Sequence, residues 1–332
     1  MLVVGIGLLV FLLKQTGLSE IIARVKILGW GFLILLVLSG LRVVLRAWSW
    51  IRCMPESERA VGFWPVWRAR VVGDAAGQLT TAGPIISEPI RVKSLHGGLS
   101  LHSRVSSLTI ETLTYMISCC LMIVVGLVAL VAQFALSQNM RNISMLAAGL
   151  TLLIVIFTCI VVRQRWHLAS ILGGMAIRGL HYLGLGRKFD HRLHQLQMLE
   201  AHVFDFYAER PMDFLLVAIC HTLFHLVGAA ETYATLVLTG FQSTFLAAFT
   251  LEATNRVVNM LFSFVPGRVG VDEAGSGLLA QTLGLGSSAG IALALIRKAR
   301  VLFWTVLGLL LFIQMRWSKE HSTAKTETLI NN

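Results

Sequence analysis

"LTIETLTYMISCCLMIVVGLVALVAQFAL", residues Leu108–Leu136, decides the fold. After Glu111 it carries no charge. A helix needs about 20 apolar residues to cross a hydrocarbon core. A backbone surrounded by lipid has to satisfy its own hydrogen bonds, which leaves helices and closed barrels. Barrel strands would alternate apolar and polar residues in short segments, and this run is continuous. Three further runs, Ile143–Val162, Phe214–Leu238 and Ser288–Met315, have the same character. The whole chain of 332 residues is 56% hydrophobic and 14% charged, with mean hydropathy +0.75. A soluble domain is roughly 45–50% apolar. The fold expected is therefore all-α: a polytopic transmembrane bundle of about seven or eight helices.

Charge gives the expected orientation. The net charge of +11 is set by clusters flanking the apolar runs, so the positive-inside rule accounts for it better than nucleic acid does. Residues 48–104, 163–211 and 317–332 are expected in the cytoplasm, with Ser137–Asn142 and Thr239–Ser243 outside. A multi-pass membrane protein follows. Met1–Leu13 lacks a basic start and a small-residue cleavage site, so it does not read as a signal peptide. It is either the beginning of a first helix or an interfacial stub. One membrane domain is expected over 1–316, followed by a polar cytoplasmic tail over 317–332. Asp190–Tyr207 carries Leu193, Leu196, Leu199, Val203 and Phe206 at helical spacing, which predicts an amphipathic connecting helix.

Two segments break the pattern. "GQLTTAGPIISEPIR", Gly77–Arg91, and "NMLFSFVPGRVGVDE", Asn259–Glu273, each place a Gly/Pro break next to an acid. Interrupted segments in matching positions of two halves are the transporter pattern, because broken helices expose backbone groups that only a cavity or a ligand can satisfy. Spacing alone leaves re-entrant segments and surface loops equally open. Leu251–Phe264 carries Glu252, Asn255, Arg256 and Asn259 at i, i+3, i+4 and i+7, one helical stripe. A charge at the bilayer centre costs roughly 2.5–3.5 kcal/mol, so the stripe should face a cavity or another helix, with Glu252 paired to Arg256. Arg297, Lys298 and Arg300 interrupt the last run similarly. Arg42 and Arg46, near Trp48 and Trp50, read as snorkelling anchors at the cytoplasmic face. Glu111 lies either near the surface or in a polar cavity with Glu88 and Arg91.

The negative findings narrow the function. His221 and His225 stand one turn apart without the HExxH glutamate, so a packing role is favoured and no metal is expected. The five cysteines form no CxxC. No phosphate-binding loop and no GxSxG nucleophile are found. No cofactor, no catalytic residue and no nucleic-acid partner are expected.

Three motifs then carry a resemblance. "FVPGRVGVDEAG", Phe264–Gly275, is followed by "LLAQTLGL" and "ALALIRKARVLFWTVLGLLLF". Together these resemble the lysylphosphatidylglycerol synthase transmembrane family, also called flippase-like domain proteins. Pro266, Gly267, Gly270, Val271 and Glu273 match its second motif. Pro84, Glu88 and Arg91 match the first, with Ser87 in place of its Gly. Glu111 matches an early Glu in the next helix, where Thr112 replaces the usual Arg, and "FYAERP", Phe206–Pro211, also fits. Glu252, Arg256, Arg297 and Arg300 look most like the branch associated with hopanoid biosynthesis.

The resemblance implies a stand-alone membrane domain without the family's aminoacyltransferase domain, acting on lipids. Its expected substrate-binding and translocation residues are Glu88, Arg91, Glu111, Glu252, Asn255, Arg256, Asn259, Pro266, Gly267, Arg268, Gly270, Glu273, Arg297 and Arg300. Glu273 would be paired with Arg268 or with the Arg297–Arg300 run. Arg91 and Glu273 would line one cavity. The expected partners are an anionic phospholipid or an isoprenoid- or hopanoid-type lipid, the membrane itself, and enzymes of envelope biosynthesis. Three readings stand: a lipid translocator, a lipid-binding subunit without catalysis, and a membrane-embedded lipid transferase.

Overall fold

The computed structural model describes residues 18–80, 83–95, 98–134, 136–182, 190–261 and 270–330. Every regular element among them is helical, so the fold is all-α. In chain order the α-helices are α1 (Leu18–Leu28), α2 (Gly31–Cys53), α3 (Phe63–Gln78), α4 (Gly83–Ser94), α5 (Leu101–Gln133), α6 (Gln138–Arg163), α7 (Leu168–Tyr182), α8 (Asp190–Glu209), α9 (Pro211–Leu238), α10 (Phe245–Leu261), α11 (Val271–Thr282) and α12 (Ser287–Ile330). A 3₁₀ turn, Glu56–Val61, joins α2 to α3. There are more helices than apolar runs because the connecting and interrupted segments are themselves helical.

Among the described residues four helices are long and apolar enough to cross a membrane: α2, α5, α6 and α9. Their ends follow from sequence. The Ser100 hydroxyl accepts from the Ser103 N–H at the start of α5, and the Ser137 hydroxyl accepts from the Met140 N–H at the start of α6. Helix α6 leaves Ile143, Leu146, Leu150, Leu153, Ile154 and Phe157 exposed. So much contiguous apolar surface suits lipid and not water. The run Ser288–Met315 falls within α12, which continues through the polar tail to Ile330. Met1–Leu13 lies outside the described residues.

Packing divides the chain into two compact units. The first holds the described residues up to Val44, from Phe63 to Leu95, and from Val227 onward. In it α12 packs against α1, α3 and α11, while α3 pairs with α4 and α10 with α11. Leu28, Leu35 and Ile296 form a core with Phe32 and Ala234. Trp304 Nε1 donates to Ser39 Oγ at 2.8 Å. Gly290 marks the closest approach: a Cβ there would sit 1.9 Å from the Ser276 carbonyl oxygen, so only glycine lets α12 meet α11.

The second unit runs from Leu45 to Gly62 and from Gly98 to Leu226. Here α8 packs against α5, α6 and α7. The predicted amphipathic helix is present, and its apolar stripe turns inward. Val203 and Phe206 join Cys53, Ile110 and Val217 in one core, and Leu196 meets Gly173 of α7. Tyr207 shares a 2.8 Å hydrogen bond with Thr114. Burial pushes its phenol well above the usual range, so it stays neutral.

Candidate functional site

The first unit concentrates buried charge, beginning with the stripe on α10. Glu252 and Arg256 pair within the helix at 3.0 Å, as their i, i+4 spacing predicts. Glu252 is nearly fully buried and draws in more: Arg297 of α12 at 3.5 Å, Arg42 of α2 at 3.8 Å, and the Thr232 hydroxyl, which donates to it at 3.2 Å. Glu231 of α9 is the second acid. It accepts from Arg42 at 3.0 Å and from Arg300 at 2.6 Å. Asp272 of α11 is the third, with Arg297 Nη1 at 3.6 Å. Arg42, Glu231, Thr232, Glu252, Arg297 and Arg300 surround a cavity of about 10 Å³. Arg42 is therefore no snorkelling anchor. It turns inward because Glu231, an acid within an otherwise apolar helix, needs a cation.

The acid pair at the start of α11 has a local cause as well. Gly270 has φ +83° and precedes the helix. Glu273 Oε2 accepts from the Gly270 N–H at 2.9 Å, and its other oxygen accepts from Lys298. Asp272 and Glu273 both lie in the first turn, where the helix dipole favours negative charge. The partner of Glu273 thus comes from within the Arg297–Arg300 run. Asn255 Oδ1 accepts from the buried Ser276 hydroxyl at 3.2 Å, which ties α10 to α11.

In the same unit, Arg91 of α4 binds Glu88 at 2.5 Å and also Asp74 of α3. Arg91 and Glu273 thus have different ion-pair partners, and neither lines the cavity described above. Pro266, Gly267 and Arg268, like the side chain of Asn259, lie outside the described residues.

The second unit holds Glu111. It is fully buried and takes a bidentate grip from Arg46: Nε to Oε1 at 2.5 Å and Nη2 to Oε2 at 2.9 Å. The guanidinium lies 3.7 Å from the Tyr115 ring centroid. Arg46, like Arg42, was expected at the surface and turns inward to an acid. His221 Nε2 stands 4.0 Å from Glu111, and His225 Nε2 lies 3.0 Å from Ser118 Oγ. Both histidines pack within this polar seam. Among the described residues no three His, Cys, Asp or Glu side chains gather to hold a metal ion.

A family model of the lysylphosphatidylglycerol synthase TM region matches residues 1–309. The chain belongs to that family. It is a membrane protein of a family connected with lipid biosynthesis and translocation. No curated protein and no solved structure matches the chain. The family match covers the second unit, the first as far as residue 309, and all three buried acids of the cluster.

Sequence reasoning missed Arg42, Glu231, Asp272, Arg46 and Asp74 as members of these networks. Glu231 had a usable signal, since it is a lone acid inside the Phe214–Leu238 run. A second omission lies at the end of α2. Arg210, from "FYAERP", donates to the carbonyls of Arg52 and Met54, and Arg59 reaches the same two carbonyls. Both also bind Asp213. The motif thus caps a helix C-terminus, where cations are favoured.

Proposed function

We propose that this protein moves an amphipathic lipid or a lipid-linked headgroup between the leaflets of a bacterial inner membrane, which it crosses several times. The observation that carries the reading is the buried cluster of Arg42, Glu231, Glu252, Asp272, Arg297 and Arg300, drawn from five helices, all but Asp272 lining a small cavity. Ionised groups are expensive away from water, and in membrane proteins they mark pathways or sites. Arginine suits phosphate because its planar fork donates two parallel hydrogen bonds. An anionic phospholipid or an isoprenoid- or hopanoid-type lipid with a phosphate fits that chemistry. The reading is transport and not catalysis, with enzymes of envelope biosynthesis as the partners that make or use the lipid.

The test is a reconstituted system. Purified protein in liposomes, given fluorescent anionic, zwitterionic and polyprenyl-phosphate lipids, should speed exchange of at least one class between leaflets. Glu252→Gln should slow that exchange. Leaflet distributions equal to those of protein-free liposomes for every class would sink the proposal.

A further inference from the structure

We propose that the cavity among Arg42, Arg297 and Arg300 is an anion site that takes one singly charged anionic atom, either a halide ion or one oxygen of a phosphate. Three observations lead there, and the first is charge. Among the described residues four guanidinium groups, those of Arg42, Arg256, Arg297 and Arg300, share three carboxylates, those of Glu231, Glu252 and Asp272. Lys298 and Glu273 cancel each other. Counted over the described residues, the cluster therefore holds one surplus positive charge. A surplus charge of this kind is costly in a weakly polar interior and attracts one negative charge strongly.

The second observation is unused donors. Arg300 Nε and Arg297 Nη1 are buried and make no hydrogen bond among the described residues. Arg297 Nη1 stands 3.6 Å from Asp272 Oδ1, which is beyond hydrogen-bond length. Buried donors are normally satisfied. Arg297 Nη1 at least faces Asp272 Oδ1, which also makes no hydrogen bond among the described residues, so Arg300 Nε is the donor that calls for a missing acceptor.

The third observation is size. A cavity of about 10 Å³ is room for about one water-sized particle. A whole phosphate does not fit, but one of its oxygens does. A water would satisfy the donors and leave the surplus charge. Glu231 and Glu252 line the same cavity, and each is already engaged by at least two arginines. Their negative charge limits the site to a single added one and disfavours a dianion.

The phosphate source rests on the lipid reading above; the halide source does not. The experiment uses the full chain purified in detergent and follows thermal unfolding. Chloride is titrated against gluconate at constant ionic strength, because gluconate is too large for the cavity. In a second arm, phosphatidylglycerol is compared with phosphatidylcholine at fixed low chloride.

The expected result is a saturable rise in midpoint with chloride, absent with gluconate, or a rise with phosphatidylglycerol that removes the chloride response. The first outcome assigns the site to a halide and the second to a lipid phosphate. Arg300→Lys keeps the charge and loses Nε. It should weaken the apparent affinity by about tenfold, the loss of one charge-assisted hydrogen bond. Arg300→Gln should abolish the response. Superimposed chloride and gluconate curves, with no difference between the two lipids, would overturn the proposal even if liposomes show lipid exchange. A chloride response without any lipid exchange would keep this site and remove the transport reading.

Discussion

The most deeply buried acids of the two units, Glu111 in the second and the Glu231–Glu252–Asp272 group in the first, are matched in opposite ways. In the second, one arginine meets one carboxylate, both oxygens of Glu111 are taken, and the Tyr115 ring lies against the guanidinium. That arrangement is balanced and closed. In the first, four described arginines divide three carboxylates beside a cavity that Arg42, Arg297 and Arg300 line, and Arg300 Nε is left without an acceptor among the described residues. A balanced, saturated pair holds helices in register. An unbalanced one is poised for something the chain does not itself supply. Buried ion pairs are therefore weak evidence of function until their charges and hydrogen bonds are counted.

The largest expected effect tests the closed side of that contrast. Glu111→Gln leaves Arg46 charged, since guanidinium does not lose its proton in proteins. Breaking a buried pair this way costs about 3–5 kcal/mol. Thermal unfolding in detergent should show a clear loss. The double variant Arg46→Met with Glu111→Leu should regain most of it, because well-packed apolar replacements of buried pairs are often neutral or better. A single variant as stable as the parent would mean that the pair is hydrated, and the contrast would collapse.

A smaller effect tests the open side through its asymmetry. Arg300→Gln leaves three arginines facing three acids, whereas Glu252→Gln leaves four facing two. Losing the acid should therefore cost more, about 3 kcal/mol against about 1 kcal/mol for the arginine. Unfolding midpoints of the two variants, measured side by side at low salt, check this order. Equal losses would show that no surplus charge exists.

Part of this was legible in the sequence. The apolar runs announce the membrane because about 20 uninterrupted apolar residues have few other uses. Glu252 with Arg256, and the stripe of α8, follow from helical periodicity, which is a local property. For Glu273 the resemblance left two partners open, Arg268 and the Arg297–Arg300 run, and the structure shows Lys298 of that run. Arg42 with Glu231 does not, for the two are 189 residues apart. Each alone has a plausible local reading, and only the packing of α2 against its neighbours in the first unit brings them together. The pairing of Arg46 with Glu111, 65 residues apart, was hidden for the same reason. Arg210 was visible as part of a motif, but its role depends on where α2 ends.

The smallest effect concerns a charge network that is neither closed nor deeply buried. Arg91 joins α3 to α4 by binding Asp74 and Glu88 through separate nitrogens. Its own side chain is only 9% exposed, while those of Asp74 and Glu88 are 40% and 31% exposed. Water therefore screens the acids, and the pairing itself is worth no more than about 1 kcal/mol. A lysine at 91 keeps the charge but presents a single ammonium in place of a fork, so it cannot hold both acids in the same geometry. Gly73 sharpens the constraint, since a Cβ there would meet the Arg91 side chain at 2.2 Å. The arginine stem lies flat against α3, and a lysine stem would fill that groove less well. Arg91→Lys should thus lower stability by about 0.5–1 kcal/mol, while slowing lipid exchange in liposomes several-fold if Arg91 also meets a phosphate. A stability loss of that size with unchanged exchange would confine Arg91 to joining its two helices and leave the cavity lined by Arg42, Arg297 and Arg300 as the place where a single phosphate oxygen is taken up.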